Sequence, residues 1–111
     1  MRLDRNTKGH QKYALLKLRR LEEIRQTAVH ADVTEVERAL AVLENAGIVD
    51  YGPAHTDSEF FVMRLKDIFS HAGLDAYARA ATAFEPEYGG EVNELARRSG
   101  FYHPSGGKYP D

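Results

Sequence analysis

Apolar residues recur at helical spacing from Gln11 to Gln26. Tyr13, Ala14, Leu18, Leu21 and Ile24 fall on one side, with Lys12, Leu16, Arg19 and Glu23 on the other. This pattern predicts a first helix. Leu16 is out of place on the polar side, and either packs under the C-terminal tail or lies on an exposed contact patch; packing is the preferred expectation. After Thr27 the chain turns, and Val33, Val36, Leu40 and Leu43 mark the buried face of a second helix. Asp32 and Thr34 compete as its N-cap, because each has a glutamate three residues on (Glu35 and Glu37) that could complete a capping box. Gly47 can take the left-handed conformation that ends a helix. "IVDY" at 48–51 then alternates as a strand does, "GPAHTDS" at 52–58 is a turn cluster, and "EFFVMRL" at 59–65 is dense in aromatic and β-branched residues. Together they predict an antiparallel hairpin around a loop of roughly seven residues.

A third helix is expected to start near Asp67 or Ser70 and to end before Glu85. Gly73 weakens its first turns, and the alanines around Tyr77 permit close packing of a neighbour. Pro86 suits the first position of a fourth helix. Along that helix Tyr88, Val92 and Leu95 face inward, Arg97 and Arg98 complement the C-terminal dipole, and Gly100 is the stop. Gly89 and Gly90 sit awkwardly in its opening turns. The tail "FYHPSGGKYPD" has no periodicity, but Phe101, Tyr102 and Tyr109 are apolar enough to be expected against the domain.

The fold class that follows is α+β, with about four helices and one antiparallel β-hairpin. Residues 1–10 form a flexible basic arm, and 11–111 a single globular domain with a packed C-terminal tail. Val33, Val36, Leu40, Leu43, Ile48, Leu65 and Leu95 should share one core with the first helix's apolar stripe. Because strand side chains alternate, Phe60 and Phe61 must point to opposite faces, so one ring belongs in that core and the other covers a helix, the tail or a partner.

Composition narrows the class. A chain of 111 residues is one domain by length. At 42% apolar and 29% charged it belongs with soluble globular proteins. No apolar run approaches the roughly 18 residues of a membrane span, and "MRLDRNTKGH" lacks the apolar segment of a secretory signal. The absence of cysteine excludes disulfides, thiolate metal sites and a cysteine nucleophile. A cytoplasmic location is the expectation.

The net charge of −2 hides an asymmetry. Through Ala31, eight basic residues (Arg2, Arg5, Lys8, Lys12, Lys17, Arg19, Arg20 and Arg25) stand against Asp4, Glu22 and Glu23; beyond it, fourteen acidic residues outnumber seven basic ones. Such polarity suits either a basic surface for an acidic partner or two halves that complement each other.

Candidate chemistry is sparse. The histidines are His10, His30, His55, His71 and His103, and no two share a helix at the i, i+3 or i+4 spacing that presents two metal ligands on one face. "SGGK" at 105–108 has Tyr102 where a phosphate-binding loop needs its first glycine, and Tyr109 where it needs a serine or threonine. The serines, Ser58, Ser70, Ser99 and Ser105, occupy no nucleophile-elbow context. Neither a metal, a cofactor nor an enzymatic activity is expected.

Helix, glycine stop and hairpin follow one another in a winged-helix-like local order, with a basic helix upstream. Two physical objections stand against DNA reading by the second helix. Only five residues separate Gln26 from Asp32, too few for the helix that crosses the DNA backbone. The outward residues Glu35, Glu37, Arg38, Glu44 and Asn45, with His55, Asp57 and Glu59 in the loop, are predominantly acidic, whereas DNA affinity comes from neutralising phosphates. DNA binding is therefore the alternative, carried by Arg2, Arg5, Lys8, Lys12, Arg19 and Arg20. The first expectation is a protein-binding surface made by Glu37, Arg38, Glu44, Asn45, His55 and Asp57.

Four blocks, "LDRNT…KYALLKLRRLEE", "AGIVDYG", "SEFFVMRLKD" and "HPSGGKYPD", resemble small uncharacterised proteins of tailed bacteriophages and prophages in their order and span. The relatives often end in an Asn-Pro, Cys-Lys, Pro-Asp type of motif. Pro104, Lys108, Pro110 and Asp111 fit it, while His103, Gly107 and Tyr109 depart from it. The resemblance implies no catalytic residue. It implies a phage-type accessory protein that binds a host or phage protein, in the host cytoplasm, including replication or defence machinery. DNA and a second copy of the chain stay open as partners.

Overall fold

The computed structural model describes residues 13–27 and 30–110. The flexible arm expected at 1–10, with Arg2, Arg5, Lys8 and also Lys12, lies outside them. Four α-helices follow in order: α1 (Leu18–Thr27), α2 (His30–Asn45), α3 (Ser70–Phe84) and α4 (Pro86–Arg97), with a 3-10 turn at Gly100–Tyr102. No strand occurs among the described residues, where the one β-type pairing is an isolated bridge from Asp67 to Lys108. The fold is all-α, which corrects the α+β expectation and removes the winged-helix-like order with it.

The hairpin fails for a local reason. Its polar backbone groups are spent on short-range turns: Thr56 N–H donates to the Pro53 carbonyl at 3.3 Å, and Glu59 N–H to that of Thr56 at 3.1 Å. Asp50 accepts the Gly52 N–H at 2.8 Å, and Gly52 itself turns the chain at a φ of 56°. The Phe60 ring lies over Gly52, in the space that a β-carbon would fill. Phe60 is 54% exposed and Phe61 86%, so neither ring anchors a face. A lone two-stranded hairpin with no apolar surface beneath it is marginal in water.

The chain divides into two compact units, one Leu15–Phe61 and the other including Val62–Asp111. In the first, α1 starts at Leu18 rather than near Gln11, and Leu15 through Lys17 carry no regular structure, like Tyr13 and Ala14 before them. Leu16 is exposed, so it is not packed away as expected. α2 starts at His30, which places Asp32 in its first turn, where a carboxylate complements the helix dipole, rather than at the cap. Its C-terminus is a Schellman motif. Gly47, at a φ of 72°, donates to Glu44 O at 3.0 Å, and Ile48 N–H reaches Leu43 O at 3.0 Å. Leu21, Ile24, Val33, Val36, Leu40 and Leu43 are half-buried, and no described residue of this unit is fully buried.

The second unit holds the core. α3 and α4 are joined by a single extended residue, Glu85, with Pro86 opening α4. Ala78, Val92 and Ala96 are its buried apolar residues, so the two helices meet over small side chains. Gly89 explains the closeness: it sits against the Thr82 backbone, and a β-carbon there would overlap Thr82. The glycine that looked awkward at the start of α4 is a packing requirement. The expected core residues Ile48, Phe60 and Phe61 are exposed instead, while Leu65 and Leu95 are half-buried.

Candidate interaction surfaces

The most buried polar cluster lies where the segment before α3 meets the turn after α4. Ser70, fully buried, has the carbonyls of Asp67 (2.6 Å) and Leu65 (2.9 Å) as acceptors for its hydroxyl, which in turn accepts the Gly100 N–H at 3.1 Å. Ser99, also fully buried, donates to the Ala96 carbonyl at 2.7 Å. His71 Nδ1 is 2.8 Å from that same carbonyl, which can only accept, so the ring carries its proton there. Its ring also contacts Tyr102, centroid to centroid at 4.7 Å. The histidine thus addresses a backbone oxygen and a tyrosine, not a serine hydroxyl. This is a structural node rather than a nucleophile and its base.

The tail is fastened by backbone. Ile68 N–H donates to Lys108 O at 3.0 Å, and Lys108 N–H to Lys66 O at 2.8 Å. Gly107 passes so close to Ile68 that a β-carbon would lie 2.8 Å from its Cγ2. This passage accounts for the second glycine of "SGGK"; the first, Gly106, faces open space and instead takes a left-handed φ of 79°. Phe101, Tyr102 and Tyr109 are exposed, so the aromatic burial expected of the tail is replaced by hydrogen bonding of its main chain.

The residues expected to bind protein all fall in the Leu15–Phe61 unit and are all exposed. Glu37 and Glu44 are two turns apart on one side of α2, and Arg38 and Asn45 repeat that spacing beside them. Glu37 is engaged: it accepts from Arg25 Nε at 2.9 Å, while Arg25 also reaches Glu22 at 3.2 Å. The Glu37 bond first, and then Glu22, raise the Arg25 pKa above its already high ordinary value. His55 takes a left-handed φ of 66° in the loop, its N–H 3.3 Å from a Glu59 carboxylate oxygen. The basic candidates on α1 are Arg19 and Arg20, and Arg20 pairs with Glu23 at 3.0 Å. Among the described residues no group of three His, Asp or Glu could hold a metal ion.

One surface was not anticipated. The outer side of α3 carries Phe69, at the N-cap, and then Ala72, Gly73, Ala76, Tyr77, Ala80, Ala83 and Phe84, all exposed. Tyr77 and Phe84 also border a shallow cleft of about 250 Å³ with Ala80, Ala81 and Tyr88. The Tyr77 hydroxyl is 2.8 Å from that of Tyr88, with the rings edge-on. In the sequence, the alanines signalled close packing but not that α3 has apolar residues on two sides.

No protein-family model, characterised protein or solved structure matches this chain.

Proposed function

We propose that the protein is non-enzymatic and acts by binding another protein through its Leu15–Phe61 unit. One observation carries this reading: the unit exposes Leu15, Leu16, Leu18, Val42, Ile48, Tyr51, Phe60 and Phe61 and has no fully buried described residue of its own. Eight large apolar side chains left exposed on a unit without a buried interior are surface that a partner would cover. An amphipathic helix laying apolar residues into a partner's groove is the recurrent mode that fits α2. Arg38, Glu44, Asn45, His55 and Asp57 then supply polar contacts at the rim, with Glu44 and Asp57 favouring a basic partner surface. Glu37 serves the Arg25 pair, and contributes to the rim only through its remaining carboxylate oxygen.

The resemblance to phage proteins makes a host or phage protein the partner class, met in the host cytoplasm and connected with nucleic-acid or defence machinery. No helix among the described residues is long and apolar enough to cross a membrane.

The test is quantitative affinity capture from a bacterial lysate with the wild type, Val42→Asp with Ile48→Asp, and Glu44→Lys. Val42 and Ile48 are exposed, so their replacement spares the fold. A protein retained by the wild type should be lost by both variants. Identical capture by all three sinks the reading. So does tight, salt-sensitive binding to duplex DNA that disappears when Arg19 and Arg20 become alanine, the signature of phosphate contacts.

A further inference from the structure

From the outer face of α3 we infer that the chain forms a reversible homodimer, in which α3 packs antiparallel on α3 of a second copy. The inference is independent of the reading above, because it uses the other compact unit. Surface helices normally alternate an apolar inner side with a polar outer one. α3 does not. At about 100° per residue, its eight outward positions from Phe69 to Phe84 fall within roughly 140° of arc, and none is charged. The helix's acidic and basic residues, Asp75 and Arg79, lie beside that arc and neutralise each other at 2.8 Å. The one polar group on the face, the Tyr77 hydroxyl, is already bonded to Tyr88. An uncharged face of this kind offers nothing to select an acidic or basic partner. It suits a surface equally uncharged.

The order of side-chain sizes says which surface. Phe69 and Phe84 stand equally far from the midpoint between Ala76 and Tyr77, and so do Gly73 and Ala80. A two-fold axis through that midpoint sets Phe69 against the second copy's Phe84 and Gly73 against the second copy's Ala80. A closed dimer interface must be self-complementary in this sense. Helical side chains lean toward the N-terminus of their own helix. Phe84 therefore leans toward the middle of the pair, onto the Met63 thioether that lies over the second copy's Gly73. Ala76 and Ala80 near the axis let the helices approach beside Tyr77, and Phe69 and Phe84 close both ends.

The area is sufficient for a reversible contact. Phe69 is 62% exposed, Tyr77 54% and Phe84 79%. Because an aromatic side chain can bury about 150–250 Å², six such rings from two copies supply roughly 800 Å². The alanines bring the total to about 1,000 Å², the lower bound of specific interfaces. An interface at that lower bound is the kind formed by weak, transient contacts, which is why the association is reversible.

Sedimentation equilibrium of the full chain, from low to several hundred micromolar, should show a concentration-dependent rise from monomer to dimer mass. Ala80→Arg keeps a good helix former at an exposed site and should raise the dissociation constant at least about tenfold, with the far-ultraviolet circular dichroism unchanged. Since the chain has no cysteine, Ala76→Cys should cross-link across the axis under mild oxidation, and exposed Glu87→Cys should not. A mixture of Gly73→Cys and Ala80→Cys chains should favour the mixed disulfide, the mark of antiparallel order. Monomer mass at every concentration overturns the inference, as does a dimer that tolerates Ala80→Arg. Unchanged capture of a protein partner by Ala80→Arg would separate a failure here from a failure of the first reading.

Discussion

Tyr88 shows how much one hydrogen bond does where the core is small. Its bond to Tyr77, and then partial burial, push the Tyr88 phenol from 10.0 up to about 12. The neutral form is the one favoured by folding. Its contribution to stability is therefore complete below the unfolded phenol value of 10.0 and is lost as the pH rises toward about 12. A near-ultraviolet titration of the folded protein should find one of the six tyrosines ionising later than the rest. Tyr77→Phe should return that tyrosine toward the others. If the late component survives Tyr77→Phe undiminished, the hydroxyl pair is not its cause.

At the scale of elements, the C-terminal tail separates two ways of holding a chain end. Main-chain bonds at Lys108 and the passage of Gly107 along Ile68 fasten it, while Tyr109 is exposed. Gly107→Val should therefore lower the melting temperature, because the side chain has no room unless the Lys108 bonds loosen. Two weakened bonds at about 0.5–1.5 kcal/mol each correspond to a fall of several degrees, given about 4–8 °C per kcal/mol for a domain of this size. Tyr109→Ser should leave it nearly unchanged; the opposite ranking in a thermal melt would restore aromatic burial as the fastening. The contrast also shows what was legible in the chain. The junction of α3 and α4 could be read because Glu85 and Pro86 punctuate it, and the end of α2 because Gly47 supplies a left-handed residue, whereas α4 ends at Arg97, before the expected stop at Gly100. "EFFVMRL" could not be read correctly, because β-branched and aromatic residues measure fit to a half-buried pleated surface, and none lies beneath Phe60 and Phe61. The outer face of α3 was hidden for a related reason. Hydropathy alone does not tell which of two apolar sides meets a neighbour until the position of α4 is known.

At the scale of the whole molecule, stability is unevenly distributed. Ser70, Ala78, Val92, Ala96 and Ser99 are buried in the Val62–Asp111 unit, and the Leu15–Phe61 unit has no comparable described residue. Helices draw most of their stability from packed apolar faces rather than from propensity, and α1 spans only ten residues, below the length at which an isolated helix persists in water. Amide hydrogen exchange reports this directly, because local opening free energies follow burial. In the free protein, amides of α3 and α4 should exchange more slowly than those of α1 and α2, by about tenfold for each 1.4 kcal/mol of extra local stability. Binding of a protein partner through the Leu15–Phe61 unit should then slow exchange in α2 while leaving the interior of α4 unchanged. Self-association should instead slow exchange in α3, and only as the concentration rises. Equal protection of all four helices in dilute protein would mean that α1 and α2 already possess a core, and the partner-binding reading would lose the observation on which it stands.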